Sequence, residues 1–248
     1  MLLIRLTLSL VALYSTILSA HSQSIHIDHV ITVVADLDSA ITRFKDLGFT
    51  VKQGRLHDNG LLNAHIKFKN ITSFEIMSIK GEPMDELARE YADLLNSGEG
   101  AVFLAITGFS MNEITSKLLE LGLRYNKIPG KSWDYITFPG NSSLAHIFFI
   151  EYHFKTIDKE DVVRHSNSTK GIEAIWIEGD QIVKQLLEGL GLKTGSIQSD
   201  IKLGVGQVYP TNTGNIIVLA RRNLNQRPRI KAISFSNEND IENIFIRY

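Results

Sequence analysis

Residues 27–51, IDHVITVVADLDSAITRFKDLGFTV, decide the fold. In an extended chain Ile25, Ile27, His29, Ile31 and Val33 share one face, because successive side chains of a strand alternate. A histidine is therefore carried on an otherwise apolar face, turned inward or over a cavity. Asp36 then stands where a helix N-cap belongs, and Leu37, Ala40, Ile41, Phe44 and Leu47 recur at helical spacing until Gly48 stops the helix. Three further strands follow between turn-type residues, over 49–53, 63–69 and 73–79, the second with Ala64, Ile66 and Phe68 alternating. The unit reads βαβββ.

The same order recurs downstream. After a connecting helix over 84–95 and the break at 97–100, a strand is expected at 101–108. Ser110 then caps a helix through Met111, Ile114, Leu118 and Leu121, Gly122 stops it, and strands follow at 133–138 and 144–152. A third pass opens with the strand 172–177, and Asp180 starts a helix through Val183, Leu186, Leu187 and Leu190. The helix ends FKDLGF, LLELGL and LEGLGL align, which argues for a repeated module. The expected fold class is α+β: βαβββ modules pair into a half-open mixed sheet, with a partial third module. The boundaries are 1–22 for a leader, 24–155 for the paired domain, and 156–248 for a linker plus an incomplete βαβ-type module that is a candidate for homodimer contacts.

Composition narrows the classes. With 44% hydrophobic and 21% charged residues the chain has material for a sizeable core, and 26 basic against 27 acidic residues leave no electrostatic footprint for nucleic acid. Arg5, an apolar run over 6–18 and the small residues Ala20 and Ser22 form the pattern of a cleaved signal peptide. The expected location is secreted or periplasmic, with no membrane attachment after cleavage. There is no cysteine, which removes disulfides, thiolate metal sites and a cysteine nucleophile. The pair of glycines at Gly204 and Gly206 is weak as a phosphate loop, and three short sequons carry no weight.

Five segments in order, IDHVITVVADLDSAITRFKDLGFTV, GRLHDNGLLNAHIKF, FEIMSI, HIFFIEY and RHSN, resemble the glyoxalase-like branch of the vicinal oxygen chelate superfamily. The resemblance covers most of residues 25–190. It implies paired modules curled around a site that holds a divalent metal in many members, with ligands from the first and last strands of each module. Carried over, it implies His29, Glu75 and Glu151 as metal ligands, with Glu75 and Glu151 as catalytic carboxylates. The strand 101–107 offers no fourth ligand. A shell of one imidazole and two carboxylates suits a hard or borderline divalent ion with open positions.

His57, Asn63, His165 and Asn167 are the expected contacts to a small-molecule ligand, the first two from the loop HDNGLLN and the others from the segment before the third repeat. The function expected is that of an exported protein acting on or binding a small oxygenated molecule, with metal-assisted lyase, isomerase or dioxygenase chemistry if it is an enzyme. Glutathione-dependent glyoxalase I activity is disfavoured by export and by the incomplete ligand set. The alternative is a binding protein of the same fold without chemistry.

Overall fold

The opening stretch folds into the strand and helix expected, β1 (His26–Val33) and α1 (Leu37–Asp46), but Ile25 and Ile27 do not share a face with Ile31 and Val33. The Asp36 carboxylate accepts from Ser39 N at 2.6 Å, satisfying one of the amide groups a helix leaves free at its start. Leu37, Ala40, Ile41 and Phe44 are buried along one side of α1, and Gly48 ends it with a φ of 84°, where an L side chain is strained. The structure is a computed structural model describing residues 24–155, 157–221, 226–237 and 244–248. The expected leader at 1–22 lies outside the described residues.

The first unit is completed by β2 (Lys52–Leu56), β3 (Leu61–Lys67) and β4 (Ser73–Ile79). Then α2 (Glu86–Asn96) leads into a second unit of β5 (Gly100–Thr107), α3 (Met111–Glu120), β6 (Asn126–Ile128), β7 (Trp133–Thr137) and β8 (Ile147–Tyr152). Together they make an eight-stranded mixed sheet in the order β2-β3-β4-β1-β5-β8-β7-β6, a curled half-barrel. Within each unit the first and last strands run parallel, β1 with β4 and β5 with β8, and the two units meet through the antiparallel pair β1–β5.

A short helix, α4 (Glu160–Val163), precedes β9 (Thr169–Gly179), α5 (Gln181–Gly189), β10 (Ile197–Asp200), β11 (Gly204–Pro210) and β12 (Asn215–Ala220). The second sheet is ordered β10-β11-β12-β9-β13-β14, where β13 spans Ile230–Asn237 and β14 spans Ile244–Arg247. The third unit thus has all of its strands, in the order of the first, where the sequence led us to expect a partial one. The reason is local: Ile197, Gln198 and Ser199 are exposed and β10 carries no apolar alternation. Gly204 and Gly206 belong to the hairpin strand β11, not to a phosphate loop. A Cβ at Gly206 would sit 2.4 Å from the Ile217 side chain, so only glycine fits there.

One face of each sheet and the helices α1, α3 and α5 share a single core that includes Ile27, Phe74, Ile114, Leu187 and Phe235. The turn after β11 clasps the start of β1, with Asn212 N donating to Ile25 O at 2.9 Å and Ile27 N to Thr213 Oγ1 at 2.9 Å. The opposite, concave face of the eight-stranded sheet carries its own cluster with α2, and so does that of the six-stranded sheet, without a helix. Among the described residues no helix is long and apolar enough to cross a membrane.

Candidate functional site

The site begins with an irregularity in β1. Ile27 is opposite Ile106 on β5 but His29 is opposite Ala105, so Asp28 is an extra residue, a β-bulge. The bulge switches faces: Ile27 belongs to the core between the sheets, whereas Ile31 and Val33 belong to the concave cluster. His29 turns with the latter pair, its ring 5.5 Å edge-on from Phe148. The Asp28 carboxylate is delivered to the same side, where it accepts a short hydrogen bond from His29 Nδ1 and another, at 2.9 Å, from the Tyr152 hydroxyl.

On the other flank of His29, Nε2 lies 3.6 Å from Glu75 Oε2. Glu75 Oε1 accepts from Asn63 Nδ2 at 2.8 Å and stands 3.9 Å from His65 Nε2, His65 being opposite Glu75 across β3–β4. Asn63 Nδ2 also lies 3.2 Å from His65 Nε2, and its Oδ1 accepts from Arg55 N at 3.0 Å. Gly54 makes room for this, since a Cβ there would fall 1.9 Å from Asn63 Oδ1. The result is a connected row, Tyr152–Asp28–His29–Glu75–Asn63/His65, with His29 only 8% exposed.

Burial works against ionisation of Asp28, but the His29 hydrogen bond and charge, the Tyr152 hydroxyl and Lys67 outweigh it and hold the carboxyl below its usual range. An ionised Asp28 can only accept, so Nδ1 of His29 donates and Nε2 is the nitrogen facing Glu75. Burial lowers the pKa of His65 against the opposing pull of Glu75. Tyr152 and Tyr135 are raised by burial and then by the carboxylates, so both keep their protons through the neutral range. Half-buried Phe103, Trp133 and Tyr135 and buried Phe148 and Tyr91 form an aromatic cluster on this face. Arg227, from the segment between β12 and β13, reaches over from the second sheet to stand 5.1 Å above the Phe103 ring.

Residues 27–189 match the family described as glyoxalase-like domain. The chain belongs to the glyoxalase-like domain family. No curated protein matches it by sequence. Among solved structures it is similar to a hypothetical protein from Staphylococcus aureus (12% identity, 84% of this chain and 89% of that one, TM-score 0.60). It is also similar to a mutant of 4-hydroxymandelate synthase from Streptomyces coelicolor (12% identity, 84% and 70%, TM-score 0.56). A methylmalonyl-CoA epimerase from Mycobacterium tuberculosis aligns over 52% of this chain and 88% of its own, at 24% identity and a TM-score of 0.41. The family match, with the fold shared with 4-hydroxymandelate synthase, is that of the vicinal oxygen chelate superfamily.

The glyoxalase-like resemblance suggested three metal ligands, and the structure brings two of them together. A divalent ion about 2.1 Å from each ligand could span the gap between His29 and Glu75. Glu151, however, lies on the opposite face of β8 from Phe148 and Ile150, and its Oε2 accepts from Met111 N at 2.6 Å, at the start of α3. Its carboxylate serves a free amide at a helix N-terminus. Among the described residues no three His, Asp or Glu side chains are arranged to hold a metal ion. The expected shell is thus not assembled from these residues.

Of the four expected ligand contacts, Asn63 is in the row. His57 closes the turn between β2 and β3, its N donating to Leu61 O at 2.7 Å, and takes no part in the row. His165 uses both ring nitrogens in the framework, accepting from Thr50 N at 3.0 Å and bonding Lys67 O at 3.0 Å. Asn167 holds the end of α1 through Nδ2 to Leu47 O at 2.8 Å. Asp28, His65, Tyr135, Tyr152 and Arg227 were not anticipated. Only His65 left a signal, by alternating with Asn63 on β3.

Proposed function

We propose that the concave face of the eight-stranded sheet binds a small oxygenated molecule and moves a proton on it, at a carbon beside a carbonyl. The observation that supports this is the Asp28 bulge: an ionised carboxylate fixes one nitrogen of His29 and leaves the other beside Glu75. That is the arrangement of an oriented imidazole next to a second proton acceptor. In this reading Glu75 and His29 Nε2 take and return the proton, with Asp28 orienting the ring. The Tyr135 hydroxyl, still protonated, supplies a donor for the oxygen on which negative charge develops.

The test is proton exchange in D2O, followed by NMR, with small 2-oxo acids and 2-hydroxy aldehydes as probes. Loss of the C–H signal beside the carbonyl is expected with the native chain. It should fall by about 10² or more in His29→Ala and Glu75→Gln, with the fold retained by circular dichroism. Exchange that survives both substitutions would overturn the reading. The close packing of His29 against Phe148 favours a second reading, in which the face binds without chemistry. Probe binding with no exchange would select it. Arg5 and the apolar run after it support export, which N-terminal sequencing of secreted material beginning at Met1 would refute.

A further inference from the structure

Beside Phe103, away from Glu75, three buried nitrogens have no hydrogen-bond partner among the described residues: Nε of Arg227 and both ring nitrogens of His146. His146 is 0% exposed, in the turn that enters β8, and its carbonyl accepts from Leu104 N at 2.8 Å. The β5–β8 register, with Ala105 opposite Phe148, puts Phe103 beside it two residues earlier. Arg227 Nη2 donates to Ala145 O at 2.8 Å, next to His146, and to Glu90 Oε1 at 2.8 Å on α2. From Arg227 a continuous wall of rings, Phe103 then Phe148, with centroids 6.2 Å apart, leads to His29.

Buried polar atoms without partners are rare and costly, so three in one place call for a missing group. A guanidinium N–H can only donate, which makes the missing partner of Arg227 Nε an acceptor. A neutral imidazole offers one N–H more to the same acceptor. The planar fork of an arginine beside a second donor matches the two oxygens of a carboxylate.

We propose that Arg227 and His146 form a carboxylate subsite, so that the ligand of the cleft is an organic acid held there with its reacting carbon toward His29 and Glu75. This rests on the cleft being the ligand site and narrows its substrate class. It also gives the second sheet a part in the site, because Arg227 is carried by that sheet. Burial, followed by the charges of Arg227 and Arg221 and against that of Asp180, pushes His146 down to about 3, so the imidazole meets the carboxylate as a neutral donor.

The experiment uses the full chain labelled with ¹⁵N-histidine and titrates sodium acetate, with acetamide as the uncharged control. Acetate is expected to shift the His146 ring signals saturably and acetamide to leave them in place. Arg227→Gln should weaken acetate by about tenfold or more. Arg227→Lys, which keeps a cation for Glu90 but has no Nε donor, should do the same if the Gln variant fails to fold. His146→Phe fills the same space without polar atoms and identifies the His146 ring signals by their disappearance from the spectrum. Unmoved His146 signals, or an acetate response as strong in both Arg227 variants as in the native chain, would overturn the proposal. Titration with 2-oxobutyrate separates the two readings. Shifts at His29 without His146 remove the carboxylate subsite alone, whereas shifts at His146 without His29, and no proton exchange, remove the proton-transfer reading alone.

Discussion

The two concave faces of this molecule are built by the same strand order and filled by different chemistry. On the first sheet the face carries Asp28, His29, Asn63, His65 and Glu75 beside an aromatic cluster. On the second sheet the equivalent face holds Ala174, Trp176, Val208, Ile217, Leu219 and Ala232, all buried. β1 and β9 are each flanked by a parallel last strand and an antiparallel strand of the next unit. Yet one unit offers titratable groups and the other a plug. The scaffold therefore supplies position, and the side chains supply or withhold function. The apolar face is not idle, because it anchors the sheet that sends Arg227 across to the first cleft.

Trp176→Ala tests the contrast most strongly. Removing a side chain that is 1% exposed should cost about 3 to 5 kcal/mol in urea unfolding, with proton exchange at the first cleft unchanged wherever the variant is folded. A loss of exchange with full stability would place chemistry on the second face. On the first face the balance reverses for Asp28→Asn. Exchange should fall by about a hundredfold, with a changed pH profile, because an amide no longer holds His29 as an ionised carboxylate does. A variant as active as the native chain would mean that Asp28 does not orient the ring.

A third prediction concerns acid stability. The folded chain holds His146 neutral down to about 3, while the unfolded chain takes up that proton near 6.5, so its contribution is full above 6.5 and is lost as pH falls toward 3. The loss is about 1.4 kcal/mol per pH unit. His65, also lowered by burial, acts in the same direction. His146→Phe should flatten the dependence of thermal stability on pH below 6.5 by that slope, and an unchanged slope would show that His146 already carries its proton in the fold. The smallest effect is expected for Glu151→Gln: about 1 kcal/mol through the start of α3, and no change in exchange rate. An exchange defect there would return Glu151 to the site.

Much of the fold was legible in the sequence because it depends on local signals. Asp36, Ser110 and Asp180 cap their helices as expected, and Gly48 and Gly122 end α1 and α3 with positive φ. The nearness of His29 to Glu75 was legible through the family resemblance, whereas alternation alone put His29 on the face of Ile27, from which the bulge separates it. Glu151 misled because Ile147 and Phe149 are as apolar as Phe148 and Ile150: β8 is buried on both faces, and periodicity cannot say which side faces the cleft. His165 and Asn167 read as linker residues near a ligand, but their partners, Thr50, Lys67 and Leu47, are 98 to 120 residues away.

By itself the sequence determined the repeated βαβββ units, their helix boundaries and the presence of a histidine and a glutamate on inward strands, because these follow from spacing and from residues with strong local preferences. Only the tertiary structure decided the rest. The bulge at Asp28 exists because β1 pairs with β5 out of step by one residue, and that slip turns His29 away from the core of Ile27 while delivering a carboxylate to it. Arg227 meets Phe103 because two sheets close on a shared core. Pairing register and sheet packing are properties of distant segments brought together, and no local pattern encodes them.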